Sequence, residues 1–111
     1  MFCKSYNDFF QTLANTTNQS IIQELLDKPM NVTDLIRKTR IEQSQVSHSL
    51  KRLSECKIVD VKKQGKQRIY SVNSETIIPI LTIVDRHAKK MCPECSKNTT
   101  KKSTKNHGVQ R

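Results

Sequence analysis

The stretch that most limits what this chain can fold into is Ile41 to Leu53, I-E-Q-S-Q-V-S-H-S-L-K-R-L, where apolar residues are confined to one narrow seam. Val46, Leu50 and Leu53 recur at i, i+4 and i+7, the spacing of a helix that buries a single stripe. The other positions are polar. Gln43, Ser44, Gln45, Ser47, His48, Ser49 and Arg52 offer amide, hydroxyl, imidazole and guanidinium groups, the kind that bond to base edges and phosphates. An ordinary solvated amphipathic helix has the same pattern, so the reading needs support from elsewhere in the chain.

Charge supplies that support. The 111 residues carry 20 Lys and Arg against 10 Asp and Glu, a net of +10, and the excess is concentrated in two places. Residues 37–68 hold ten basic and three acidic side chains, and residues 86–111 hold eight and one. The remaining segments, 1–36 and 69–85, are mildly acidic. Such clustering predicts a polyanionic partner, and its position around Ile41 to Leu53 favours double-stranded DNA over a merely solubilising surface. No apolar run approaches the roughly 20 residues that span a bilayer, and no basic segment followed by a hydrophobic one opens the chain. A soluble cytoplasmic protein without a membrane partner is therefore expected. Four cysteines, Cys3, Cys56, Cys92 and Cys95, are too few and too unevenly spaced for a disulfide framework, which leaves reduced thiols or metal ligation.

In chain order, Tyr6 to Ala14 reads as a first helix with Phe9, Phe10 and Leu13 on one face. A polar, cap-rich stretch from Asn15 to Ser20 precedes a second helix built on Ile21, Ile22, Leu25 and Leu26, stopped at Lys28 and Pro29. Asn31 is the expected N-cap of a short third helix with Val32, Leu35 and Ile36 on its apolar side. After Leu53 the period falls to two. Ile58, Val59 and Val61, then Ile69, Tyr70 and Val72, flank K-K-Q-G-K-Q-R, which predicts a β-hairpin turning at Gly65. Lys62, Lys63, Lys66 and Arg68 make its tip cationic, either for solubility or, with no acid among them, for phosphate contact.

From Ser74 to Met91 the helical period returns, with Ile77, Ile78, Ile80, Leu81, Ile83 and Val84 on a face wider than one small domain needs. Core packing is one explanation; a homodimer seam through Ile80, Leu81 and Val84 is the favoured one. Pro79 lies inside this stretch, so a kink or a later start is expected. The sequence divides into a folded and dimerising domain over residues 1–92 and a basic tail over 93–111 that has no periodicity and is expected to be disordered.

Helices, a reading helix, a basic hairpin and a final helix follow the order of a winged helix-turn-helix, mainly α with a small β-hairpin. The chain resembles ArsR-type transcriptional repressors in L-A-N at Leu13 to Asn15, N-V-T-D-L at Asn31 to Leu35, Q-S-Q-V-S-H-S-L-K-R-L at Gln43 to Leu53 and G-K-Q-R-I-Y-S-V at Gly65 to Val72. The resemblance implies a homodimer joined through its first helix (Phe9, Phe10, Leu13) and last helix, not an enzyme, with two reading helices in successive major grooves of a near-palindromic operator. The chain departs from the family pattern at Thr16 and Asn18, in place of Pro and Arg, at Glu42 in place of a Ser cap, and at Lys57 in place of Gly. The Glu42 carboxylate is expected to turn away from DNA, since it would repel a phosphate.

The family's metal-ligand sets are mostly missing. Asn31, Val32 and Thr33 stand where one type has Cys-x-Cys, and of Ser74, Thr76, His87 and Lys90, which occupy the zinc-ligand positions of another, only His87 matches. Asp85 and His87 are two apart and point to different sides of a helix. Cys92-Pro-Glu-Cys95 remains: two thiols near Arg86, Lys89 and Lys90, which favour the thiolate, able to hold zinc or another thiophilic metal or to close as a disulfide. Further ligands would be Cys3 or His87. Three readings of this pair stay open, namely an inducible metal or redox site, structural zinc, and no specific role. The alternative to a repressor is a basic architectural or RNA-associated winged-helix protein with no inducer.

Overall fold

A computed structural model describes residues 4–92 and Glu94. The elements are α1 (Lys4–Ala14), α2 (Thr16–Asp27), α3 (Val32–Thr39), α4 (Gln43–Glu55), β1 (Val59–Gln64), β2 (Gln67–Val72) and α5 (Ile77–Met91). They fall into two compact units that divide between Val72 and Asn73. The expected tail beyond Cys95 lies outside the described residues, as do Cys3 and Cys95 themselves.

The first unit is a winged helix-turn-helix. Its core is Ile21, Ile22 and Leu25 of α2, Met30, Leu35 of α3, Val46, Leu50 and Leu53 of α4, and Ile58 and Val59 at the entry to the hairpin, each at most 5% exposed. The expected polar connection from Asn15 to Ser20 is not present. Asn15 alone separates α1 from α2, and its Oδ1 accepts the Asn18 N–H at 2.9 Å as an N-cap. The helical propensity of this stretch gives no warning of that, because the joint is held by side-chain bonds that reach back across it from α2 to α1. Asn18 is buried and its Nδ2 donates to the Thr12 carbonyl at 2.9 Å, while Gln19 Nε2 donates to the Leu13 carbonyl at 2.8 Å. A neutral amide therefore fills the position where the family pattern has an Arg.

Asn31 caps α3 as expected, accepting the Asp34 N–H at 2.8 Å, and the helix ends on Arg40 in the left-handed region at φ 62°. The end of α4 is a Schellman motif: Ile58 N–H donates to the Leu53 carbonyl at 2.9 Å and Lys57 N–H to the Ser54 carbonyl at 3.0 Å. Lys57 itself sits at φ 61°, which explains why a glycine is the family's usual residue there. The hairpin pairs Val59 with Val72 through Gln64 with Gln67, leaving Gly65 and Lys66 as a two-residue turn. Gly65 has φ 62°, a positive value at the first turn position such as a tight hairpin of this length requires. Unforeseen in the sequence, Met30 adds a single rung: its N–H donates to the Tyr70 carbonyl at 3.0 Å and it accepts from Tyr70 N–H at 2.8 Å.

The second unit contains α5. It starts at Ile77, later than Ser74, so that Pro79 falls in the first turn, where no intrahelical N–H bond is lost. Asn73 Oδ1 accepts the N–H groups of Glu75 and Thr76 at 3.1 and 3.4 Å ahead of it. Among the described residues no helix is long and apolar enough to cross a membrane.

Candidate nucleic-acid interface

Helix α4 is locked in place by Val46, Leu50 and Leu53, each at most 1% exposed, and this leaves Gln43, Ser44, Gln45, Ser47 and His48 in solvent. Two of the polar positions behave otherwise. Ser49 is 5% exposed and belongs to the buried side of the helix, not to its open face. Arg52 is half-buried, its guanidinium held between Asp8 of α1 at 3.7 Å and Glu55 at 3.8 Å. Conversely, Lys51 is exposed and follows Ser44, Ser47 and His48 at helical spacing. It lies within Ile41 to Leu53, and the same helical spacing could have found it. The Glu42 carboxylate accepts from the Ser44 hydroxyl through Oε1 at 3.3 Å, at the head of α4.

The hairpin presents its cations on both faces. Lys63 and Arg68 are directly opposed, Lys62 lies opposite Ile69, and Lys66 is in the turn. All four are exposed, and none forms an ion pair among the described residues. Two like charges facing each other across a strand pair destabilise a free hairpin, and a bound anion relieves that. The hairpin is also tied to the helix-turn-helix, since Asn31 Nδ2 donates to Gln67 Oε1 at 2.9 Å.

A polar furrow runs beside α4. One stretch, of about 360 Å³, is lined by Asn15, Thr17, Ser44, Gln45, His48 and Ser49. A second, of about 210 Å³, continues past Asn15, His48 and Ser49 to Gln11, Thr12, Asn18 and Arg52. Neither has a carboxylate in its lining.

Of the residues expected at a dimer seam, Phe10 is exposed while Phe9 and Leu13 are half-buried, the two rings meeting edge to face at 5.6 Å. Tyr6, one turn before Phe10, is also exposed and was not singled out. On α5, Val84 is 53% exposed, Ile80 and Leu81 are half-buried, and Ile83 and Met91 are more exposed than any of these, at 60% and 71%. Cys92 is half-buried, and Asp85 pairs with Lys89 at 3.2 Å instead of approaching His87 as a ligand pair. Among the described residues there is no cluster of three or more His, Cys, Asp or Glu. Cys56 is half-buried, its sulfur 3.4 Å from the Thr12 hydroxyl.

Residues 19–61, from α2 into β1, match the model of the bacterial regulatory protein, arsR family. The chain is similar to the HTH-type transcriptional regulator Rv2034 of Mycobacterium tuberculosis, 29% identical over 77 residues that cover 69% of this chain and 72% of that protein. It is similar to NmtR, an HTH-type transcriptional regulator of the same organism, 30% identical over 79 residues, 71% of this chain and 66% of NmtR. The solved structure of the transcriptional repressor PagR of Bacillus anthracis superposes with a TM-score of 0.63 at 27% identity, over 73% of this chain and 93% of PagR. With a reading helix, a cationic hairpin and these relatives in agreement, the chain belongs to the ArsR family of helix-turn-helix transcriptional regulators, DNA-binding proteins and not enzymes.

Proposed function

We infer that this ArsR-family regulator is a cytoplasmic, homodimeric repressor that reads an operator through α4 and holds its backbone through the hairpin. The observation that carries this is the division of labour in one folded unit: neutral hydrogen-bonding groups Gln43, Ser44, Gln45, Ser47 and His48 stand exposed on a helix fixed by its buried seam, and four unpaired cations stand on the hairpin. The likeness to PagR, named a transcriptional repressor, supports repression. Competition between fragments recovered from the protein's own genome and random duplex tests it: a specificity ratio of roughly a thousand or more is expected. Equal affinity for both would favour the architectural reading.

Dimerisation is supported by the apolar side chains that α1 and α5 leave in solvent, Tyr6 and Phe10 on the first, Ile83, Val84 and Met91 on the second. Val84→Asp should convert a dimer into monomers by sedimentation, and an unaltered dimer would reject the α5 seam. For the release signal we retain Cys92 and Cys95 as the candidate site, with zinc, another thiophilic metal or an oxidant as the input. Cys92 alone of the pair is described, half-buried just past the end of α5, and its position beside the Cys-x-x-Cys spacing is what supports this reading. Operator titration of wild type and a Cys92→Ser, Cys95→Ser double variant, reduced, oxidised and with each metal, separates the cases. A sensor loses its response and keeps its metal-free affinity, whereas structural zinc predicts loss of folding or dimerisation.

A further inference from the structure

We propose that the furrow beside α4 seats a phosphate of the DNA backbone, held by the head of α2 together with Ser49, so that the α1–α2 joint anchors the duplex as a third point besides α4 and the hairpin. The proposal rests on the DNA-binding reading above.

Its first support is the state of Ser49. The residue is 5% exposed, lines both stretches of the furrow, and its hydroxyl has no hydrogen-bond partner among the described residues. A serine or threonine inside a helix ordinarily returns its hydrogen to the carbonyl four residues back. Thr12, Ser20, Thr39 and Thr82 all do so here, at 2.7 to 3.2 Å. Ser49 does not, and a buried hydroxyl left unbonded is costly unless a ligand completes it.

The second support is the opposite wall. Asn15 Oδ1 takes the Asn18 N–H and the Asn15 carbonyl takes the Gln19 N–H, so the N–H groups of Thr16 and Thr17 have no backbone partner among the described residues. They lie at the positive end of a 12-residue helix, with Thr17 at the furrow's edge. The lining has donors from Asn15, Thr17 and His48 and no carboxylate, which favours an anion, while Arg52, also in the lining, is engaged by Asp8 and Glu55. Gln45 and His48 belong both to the lining of the furrow and to the exposed face of α4, so the anion nearest at hand is a phosphate beside the bases that α4 reads.

The test uses a recovered operator fragment carrying a single uncharged methylphosphonate at each backbone position in turn. Wild type should bind roughly tenfold more weakly when one particular phosphate flanking each α4 is neutralised, the loss expected for a charge-assisted hydrogen bond. In Ser49→Ala and in Thr17→Val that position should become silent while the positions held by the hairpin keep their effect; in Lys66→Gln the pattern should reverse. Because its hydroxyl has no partner among the described residues, Ser49→Ala should unfold at no lower temperature than wild type, and Thr17→Val provides an independent variant. Full wild-type sensitivity at every phosphate in both variants overturns the proposal and leaves the DNA-binding reading standing. Failure of the wild type to bind any duplex overturns both.

Discussion

Helix α4 and the β1–β2 hairpin both face a polyanion, and they are built in opposite ways. In α4 three side chains are at most 1% exposed, the C-terminus closes in a Schellman motif, and most of the groups on offer are uncharged. In the hairpin only Val59 is buried; the tip is a two-residue turn bearing cations that are opposed across the strands. A base edge is recognised by directional hydrogen bonds that fail when misplaced by an ångström, so the reader must be rigid. A phosphate is attracted through space and tolerates a yielding partner. The comparison teaches that rigidity has been placed where direction matters and charge where it does not.

The strongest way to break this contrast is to loosen α4. Leu50→Ala should cost about 2 to 5 kcal/mol, a large part of the stability of so small a unit, and should abolish specific and non-specific binding together; denaturant unfolding measures it. Should specific binding survive with stability reduced by that much, the seam does not set the reading geometry. Next in size, Gln45→Ala should lose about 1 to 3 kcal/mol on the operator and nearly nothing on random duplex, if it makes a bidentate base contact. A uniform loss on both would move Gln45 from reading to anchoring.

The joint between the two regions gives a smaller effect of opposite sign. Lys57→Gly removes a side chain from a left-handed position and should stabilise the protein by about 0.5 to 1 kcal/mol, raising its melting temperature without changing operator preference. A lower melting temperature would mean that the contacts of the lysine outweigh its backbone strain. The smallest change in folding is expected in the hairpin: Arg68→Gln ends its like-charge opposition to Lys63 and should stabilise by roughly 0.2 to 1 kcal/mol. The same variant should weaken all duplexes alike and reduce the salt dependence by about one unit of slope. An altered sequence preference in Arg68→Gln would erase the distinction between reader and anchor.

What the sequence determined by itself was local. The seam of α4, the Asn31 cap and the hairpin turning at Gly65 each follow from the preferences of neighbouring residues, which act over one turn of helix or one turn of chain, whereas at Pro79 the sequence left a kink and a later start of α5 open. The cationic hairpin and the exposed glutamines were legible for the same reason. Only the tertiary structure decided which polar residues on α4 remain available. Asp8, forty-four residues away from Arg52 in sequence, draws that guanidinium aside, and Ser49 is buried while Lys51 stays in solvent. The one-residue joint at Asn15 and the Met30 rung on Tyr70 were equally hidden, because each depends on hydrogen bonds outside the repeats of a helix or a strand pair. Periodicity tells which face of a helix is apolar; it says nothing of what packs along the edge of that face, and the edge is where the furrow lies.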